Sequence, residues 1–265
     1  MPQDEAPLCP VGLAIHTASP ELGLALRTLD GTIKTQCWNL GRSLSTELHD
    51  HLSQFVQPLT WTDLDFLAVA KGPGGFTGTR IGVVTARTLA QQLNIPVFAI
   101  STLMVLAQAE AEQTFSSPTF ESNSSESNSS ESSSGASDTG HSGVNLDVAV
   151  EMPARRGAVY GAIYRFTLES ESQPSKESGL ALSSMSLPII ALPDAALPEE
   201  KWRHSLETWP HPYRLVTADE NLGKSVAQML TLAHRYWQKG IGLPGPSPYR
   251  PHWADALPFY GQSPV

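Results

Sequence analysis

Residues 72–80 read Gly-Pro-Gly-Gly-Phe-Thr-Gly-Thr-Arg, and no other segment restricts the fold as much. They follow an apolar run, Phe66 to Ala70, and open a helix-compatible stretch from about Thr77 to Leu93. A glycine-rich strand-to-helix turn serves one of two physical ends. Its amides and the positive helix end can hold an anion, or its missing side chains can let another backbone come close. Under the first reading Gly72, Gly74, Gly75 and Thr77 are anion contacts; under the second they form a structural turn. The lysine and Ser/Thr of a P-loop are absent, as is the spacing of a dinucleotide fingerprint.

The surrounding pattern is α/β. Val11 to Ile15, Gly23 to Thr28 and Thr32 to Trp38 read as three strands joined by tight links, with Asp30-Gly31 as a hairpin signal. A helix over 44–57 follows, capped by Ser43 or Ser45, with Leu44, Leu48, Leu52 and Phe55 on one face. After the glycine turn come a helix ending before Asn94, a strand Val97 to Ile100, and a helix capped by Ser101 that runs to about Glu112. The order β-β-β-α-β-α-β-α describes a mixed sheet with helices packed on it. Within the long helix Gly78, Gly82, Ala86 and Ala90 recur every four residues and stack on one face. That face suits either packing inside the chain or a partner helix, and periodicity does not separate the two.

Residues 114–143 are dominated by serine, asparagine and glutamate, with Glu-Ser-Asn-Ser-Ser at 121–125 and again at 126–130, so disorder is expected. The Asn-Ser-Ser triplets at Asn123 and Asn128 match a glycosylation acceptor, which is accidental in a chain without a secretory leader. Order resumes with a hairpin, Leu146 to Glu151 and Ala158 to Leu168, around Pro153-Ala154-Arg155-Arg156-Gly157. The two arginines are either phosphate forks or a solvated turn. A Ser-rich link covers about 169–186. A strand near Arg214 to Thr217 precedes a helix from Asn221 to Lys239, stopped by Gly240, and the Pro-rich tail from Leu243 has no regular pattern.

Composition excludes several functions. A formal net charge of −9 rules out gripping nucleic acid by bulk electrostatics, and leaves a local patch or a partner as the route to RNA. Cys9 and Cys37 fit no CxxC spacing. The N-terminus lacks a signal-peptide pattern and no apolar run approaches membrane-spanning length, so a cytoplasmic protein with no membrane partner is expected. His49 and His51 lie two residues apart on a helix and point apart, there is no HExxH, and Glu47 with His51 reads as a solvated pair. No Gly-x-Ser-x-Gly elbow occurs. The sequence offers no catalytic residue and no metal ligand set.

The run Gly72 to Gly82, preceded by Leu64-Asp65 and followed by Pro96-Val97 and Ser101-Thr102-Leu103, resembles the TsaB family. These are the bacterial subunits of the machinery that makes threonylcarbamoyl-adenosine in tRNA. Ala14-Ile15-His16-Thr17-Ala18 is similar to the family's opening Ala-Ile-Asp-Thr-Ser strand. Pro153 to Tyr160 resembles its Asp-Ala-Arg-Arg-Gly-Glu-Val-Tyr hairpin. The resemblance is strong over about 11–110, moderate over 146–165 and faint beyond.

It implies an actin/Hsp70-like (ASKHA, ribonuclease-H-like) α/β fold of two lobes, the second smaller and degenerate. The lobes would be 11–112 and 145–240, separated by the disordered insert 113–144 and followed by the tail 241–265. It further implies a non-catalytic scaffold or dimerisation subunit, related to the catalytic subunit TsaD but without its metal ligands. TsaD transfers threonylcarbamoyl to an adenosine beside the anticodon, and a third component, TsaE, is an ATPase. The chain would pair with TsaD through Leu48, Leu52 and Phe55 of one helix and Gly78, Gly82 and Ala86 of the next, or with a second copy when TsaD is absent. It would have no cofactor of its own, the complex using ATP, and would reach tRNA only indirectly. Two departures stand out: His16 replaces the family Asp, and Pro153, ahead of Ala154, stands where the family usually has an acid. A neutral imidazole cannot replace a hard oxygen ligand to Mg²⁺. The alternative is an ASKHA-type ATPase or kinase that holds nucleotide phosphates with Thr17, Ala18, Ser19 and the glycine turn. A glycoprotease-type metallopeptidase would need zinc ligands that the sequence lacks.

Overall fold

The computed structural model describes residues 9–117, 144–168, 185–240 and 252–259. The expectations for most of the Ser-rich insert, of the link after Leu168 and of the Pro-rich tail fall outside them; the first residues assigned to the insert do not, and Thr114 and Phe115 instead close a helix over Thr102–Phe115 and are buried.

Three strands, β1 (Gly12–His16), β2 (Glu21–Arg27) and β3 (Ile33–Asn39), form an antiparallel meander, turned at Asp30-Gly31. Helix α1 (Leu44–Val56) then returns the chain to β4 (Phe66–Ala70), which pairs parallel with β1. The glycine turn leads into α2 (Phe76–Leu93), then β5 (Val97–Ile100), and the first sheet has the order β3-β2-β1-β4-β5. Asn94 ends α2 in the left-handed region, its amide donating to the Ala90 carbonyl. Ser101 caps α3 (Thr102–Phe115), its hydroxyl accepting from the amides of Leu103 and Met104. Ser43 stands ahead of α1 but makes no such bond; a 3-10 turn over Gly41–Ser43 starts that helix instead.

The second sheet repeats the plan. Strands β6 (Val144–Pro153), β7 (Ala158–Leu168) and β8 (Ile189–Pro198) run antiparallel. Helix α4 (Glu199–Glu207) leads to β9 (Tyr213–Thr217), parallel to β6, in the order β8-β7-β6-β9. β8 and α4 lie in a stretch the sequence reading left without elements. Their signals are weak, since Pro193 and Asp194 interrupt the strand and α4 is mostly polar. The start of α4, Pro198 followed by Glu199-Glu200, is nonetheless a readable N-terminus.

The alternation of side chains along β1 and β4 divides the core in two. Leu13, Ile15, Leu67 and Val69 face α1 and α2. Ala14, Ala68 and Ala70 face the other way, towards α3 and the last helix, α5 (Val226–Gln238). Small side chains there let α5 lie across β1, β2 and β4, although it follows β9 in sequence. The same cluster takes in Val148, Val150, Ala162, Tyr164 and Phe166 from the second sheet, so both sheets share one apolar centre. Phe66 anchors it edge-on to Phe98, with ring centroids 5.9 Å apart.

Candidate functional site

The glycine turn meets the β1–β2 connection, and the contact is between backbones. The Gly75 amide donates to the Ala18 carbonyl at 2.6 Å, and the Thr17 hydroxyl donates to the Gly78 carbonyl at 2.8 Å. A Cβ on Gly74 would lie 2.2 Å from the Ala18 carbonyl oxygen, and one on Gly78 2.2 Å from that of Thr17. On Gly82 it would lie 2.1 Å from the Thr17 hydroxyl. Gly72, at φ +94°, turns the chain out of β4, and its carbonyl accepts from the Thr102 amide. The absent side chains of Gly74, Gly78 and Gly82 therefore allow α2 and the turn before it to approach the β1–β2 connection closely. Thr77 is exposed on the first turn of α2.

The opposite side of β1 is closed as well. His16 pairs with Gly23 in register. Against Gly23 lies the 3-10 turn Leu222–Ser225, with the Gly223 carbonyl oxygen 2.3 Å from where a Cβ on Gly23 would be. His16 is fully buried, neither ring nitrogen has a protein partner, and burial lowers its pKa from 6.5 to about 4. It is a neutral imidazole at physiological pH. Thr17 is buried and bonded, while the hydroxyl of nearly buried Ser19 has no partner. Among the described residues no three of His, Cys, Asp and Glu gather as a metal-holding group, and no helix is long and apolar enough to cross a membrane.

The residues expected to contact a partner point inward. Leu48, Leu52 and Phe55 are buried against β2 and β3, and Gly82 and Ala86 are buried against β1. Gly78 is half-buried against Thr17. The small-residue stripe thus packs on this chain's own β1–β2 connection, which corrects its assignment to direct partner contact. The outward face of α2 carries Phe76, 55 % exposed, Arg80, and Val84, 59 % exposed, at successive intervals of four. The Arg80 guanidinium lies 4.0 Å from the Phe76 ring centroid. On α1 the outward residues are polar, Ser45, His49, Asp50 and Ser53 among them; His51 lies 3.7 Å from Glu47, but its half-buried ring packs on Trp38, centroids 4.5 Å apart, so it is less solvated than expected.

The tail also differs from expectation. A 3-10 turn over Trp253–Asp255 packs on α2, Ala256 is buried in the α1–α2 core, and the Phe259 amide donates to the Lys71 carbonyl. These contacts are non-local and leave no periodic trace in a proline-rich sequence.

In comparisons with known proteins, residues 46–120 match the family model of TsaD, tRNA N6-adenosine threonylcarbamoyltransferase. The chain is 39% identical over 97 residues to the tRNA threonylcarbamoyladenosine biosynthesis protein TsaB of Bacillus subtilis, covering 36% of this chain and 42% of that protein. It is 35% identical over 98 residues to the TsaB of Escherichia coli, with coverage of 36% and 42%. The structure of YeaZ from Pseudomonas aeruginosa superposes over 95% of this chain and 99% of that one, at a TM-score of 0.60 and 21% identity. Over those 97 and 98 residues the chain is similar to the TsaB proteins. Its sequence match spans less than half the length of the two TsaB relatives, and the fold likeness extends over both lobes. The two repeated β-β-β-α-β units with helices between them are the ASKHA, ribonuclease-H-like arrangement expected of a TsaB relative.

Proposed function

We propose that this chain is a scaffold subunit in the synthesis of threonylcarbamoyl-adenosine on tRNA, docking a TsaD-type catalytic subunit through the outward faces of α1 and α2. The observation that carries the reading is the closed β1–β2 connection. There Gly74, Gly75 and Gly78 lie directly against Thr17 and Ala18, backbone on backbone. On the outside of the same helix, Phe76 and Val84 offer apolar surface flanking a guanidinium. The chain supplies shape to its partner and carries out no chemistry of its own; ATP is used elsewhere in the assembly, by a TsaE-type subunit. Without the catalytic partner, the same face pairs two copies of this chain. The working location is the cytoplasm, where tRNA is modified.

Reconstitution tests this. A TsaD-type and a TsaE-type subunit with ATP should modify tRNA only when this chain is added, and calorimetry of the chain alone with ATP and Mg²⁺ should show no turnover. Modification without the chain, or ATP hydrolysis by the chain alone, would overturn the proposal.

A further inference from the structure

The β6–β7 hairpin ends at Arg155 and Arg156, both exposed. Neither forms an ion pair among the described residues, where Arg165 holds Asp147, Arg203 holds Glu199 and Arg214 holds Glu110. Arg156 sits at φ 61° and ψ 37°, the left-handed region that favours glycine, and is followed by Gly157 at φ +71°. Non-glycine residues held there are a recurrent feature of ligand-contacting turns.

Directly beside this tip is a cavity of about 510 Å³, within the range of small-molecule and nucleotide sites. Ala154 and Gly157, either side of the two arginines, form part of its wall. Val159, Leu206, Leu215 and the face of α4 at Trp202 supply apolar surface, and Leu215 is 49 % exposed. The polar groups lining the cavity are Glu151 from the sheet and the Glu199–Arg203 ion pair from α4. The Glu151 carboxylate is fixed by the Trp202 indole N–H at 2.7 Å and the Thr217 hydroxyl at 2.9 Å, on different oxygens. Each oxygen keeps a lone pair that can accept from a base amino or imino group.

We infer that this cavity and the Arg155-Arg156 tip form an RNA contact, in which an unstacked base enters against Leu215 and Leu206 while the two guanidinia take the adjoining phosphates. Arginine forks without ion-pair partners suit phosphates, and an apolar slot with an oriented acceptor suits the face and edge of an unstacked base, which are the elements single-stranded RNA offers. A phosphopeptide would need only the arginines. This contact rests on the tRNA reading proposed above and adds to it a direct contact by this subunit. The net charge of −9 confines such binding to a local patch.

The test is fluorescence anisotropy of the full chain with a labelled, unmodified tRNA, from about 50 to about 300 mM KCl. Arg155→Ala with Arg156→Ala should weaken binding about tenfold and reduce the log–log salt slope by about 1 to 2. Leu215→Ser, a neutral change at an exposed position, should weaken binding and leave the slope unchanged. Absence of binding by the wild type, or variants that bind with the same affinity and slope, would overturn the inference. So would equal displacement by AMP or by a phosphopeptide at matched phosphate concentration. Co-elution with the TsaD-type subunit, measured in parallel, separates the two ideas. Failed co-elution with intact RNA binding removes the scaffold reading; retained co-elution with no RNA binding removes this one.

Discussion

At the scale of single residues, two positions carry most of the physics. A methyl group on Gly78 would overlap the Thr17 carbonyl oxygen, which belongs to backbone and cannot swing aside. Gly78→Ala should therefore cost about 1–3 kcal/mol, the range of overpacked sites, read as a lower urea midpoint. Partner binding should fall only as far as the folded fraction falls. His16 gives one part of the pH dependence, and His234, which burial also lowers to about 4, adds to it in the same direction. An unfolded chain takes up a proton on the His16 imidazole near pH 6.5, whereas the folded chain resists until about 4. Between those values the unfolded state binds more protons, so stability is intact above pH 6.5 and declines as pH drops towards 4. The loss approaches about 3 kcal/mol. His16→Leu should lessen that decline in urea titrations compared at pH 5 and pH 7.5; an unchanged slope would remove His16 as one of its sources.

At the scale of elements, the sequence carried the order of strands and helices because those signals are local. The Leu48, Leu52 and Phe55 spacing, the Ser101 cap and the Asp30-Gly31 turn each act within a few residues. The direction of the Gly78, Gly82 and Ala86 stripe was not legible. Periodicity fixes which residues share a face but not which neighbour that face meets, and here the neighbour is Thr17, some sixty residues earlier. The cavity beside Trp202 escaped for the same reason, its walls coming from β6, β7, α4 and β9. The tail contact at Ala256 makes a further element-scale prediction. Ala256→Asp places a carboxylate in the α1–α2 core and should lower thermal stability by several degrees while leaving the α3–α5 side intact. An unchanged melting temperature would show that the tail adds nothing to α2.

At the scale of the whole molecule, the two sheets share one apolar centre, with α3 and α5 between them. Such a chain suits a rigid support better than a cleft that opens and closes, because parting the lobes would expose Phe66, Tyr164 and Met229 together. Rigidity leaves the outer surface of α2 as a preset face, with Phe76, Arg80 and Val84 held in place by the packed stripe beneath them. Val84→Arg changes that face at an exposed position and leaves the buried stripe untouched. The most direct measurement is size-exclusion chromatography with light scattering of the chain mixed with a TsaD-type subunit. The wild type should co-elute as a complex, and Val84→Arg, with unchanged circular dichroism, should elute separately with at least a tenfold loss of affinity, about 1.4 kcal/mol. Co-elution of Val84→Arg at wild-type affinity would contradict docking through the outward face of α2.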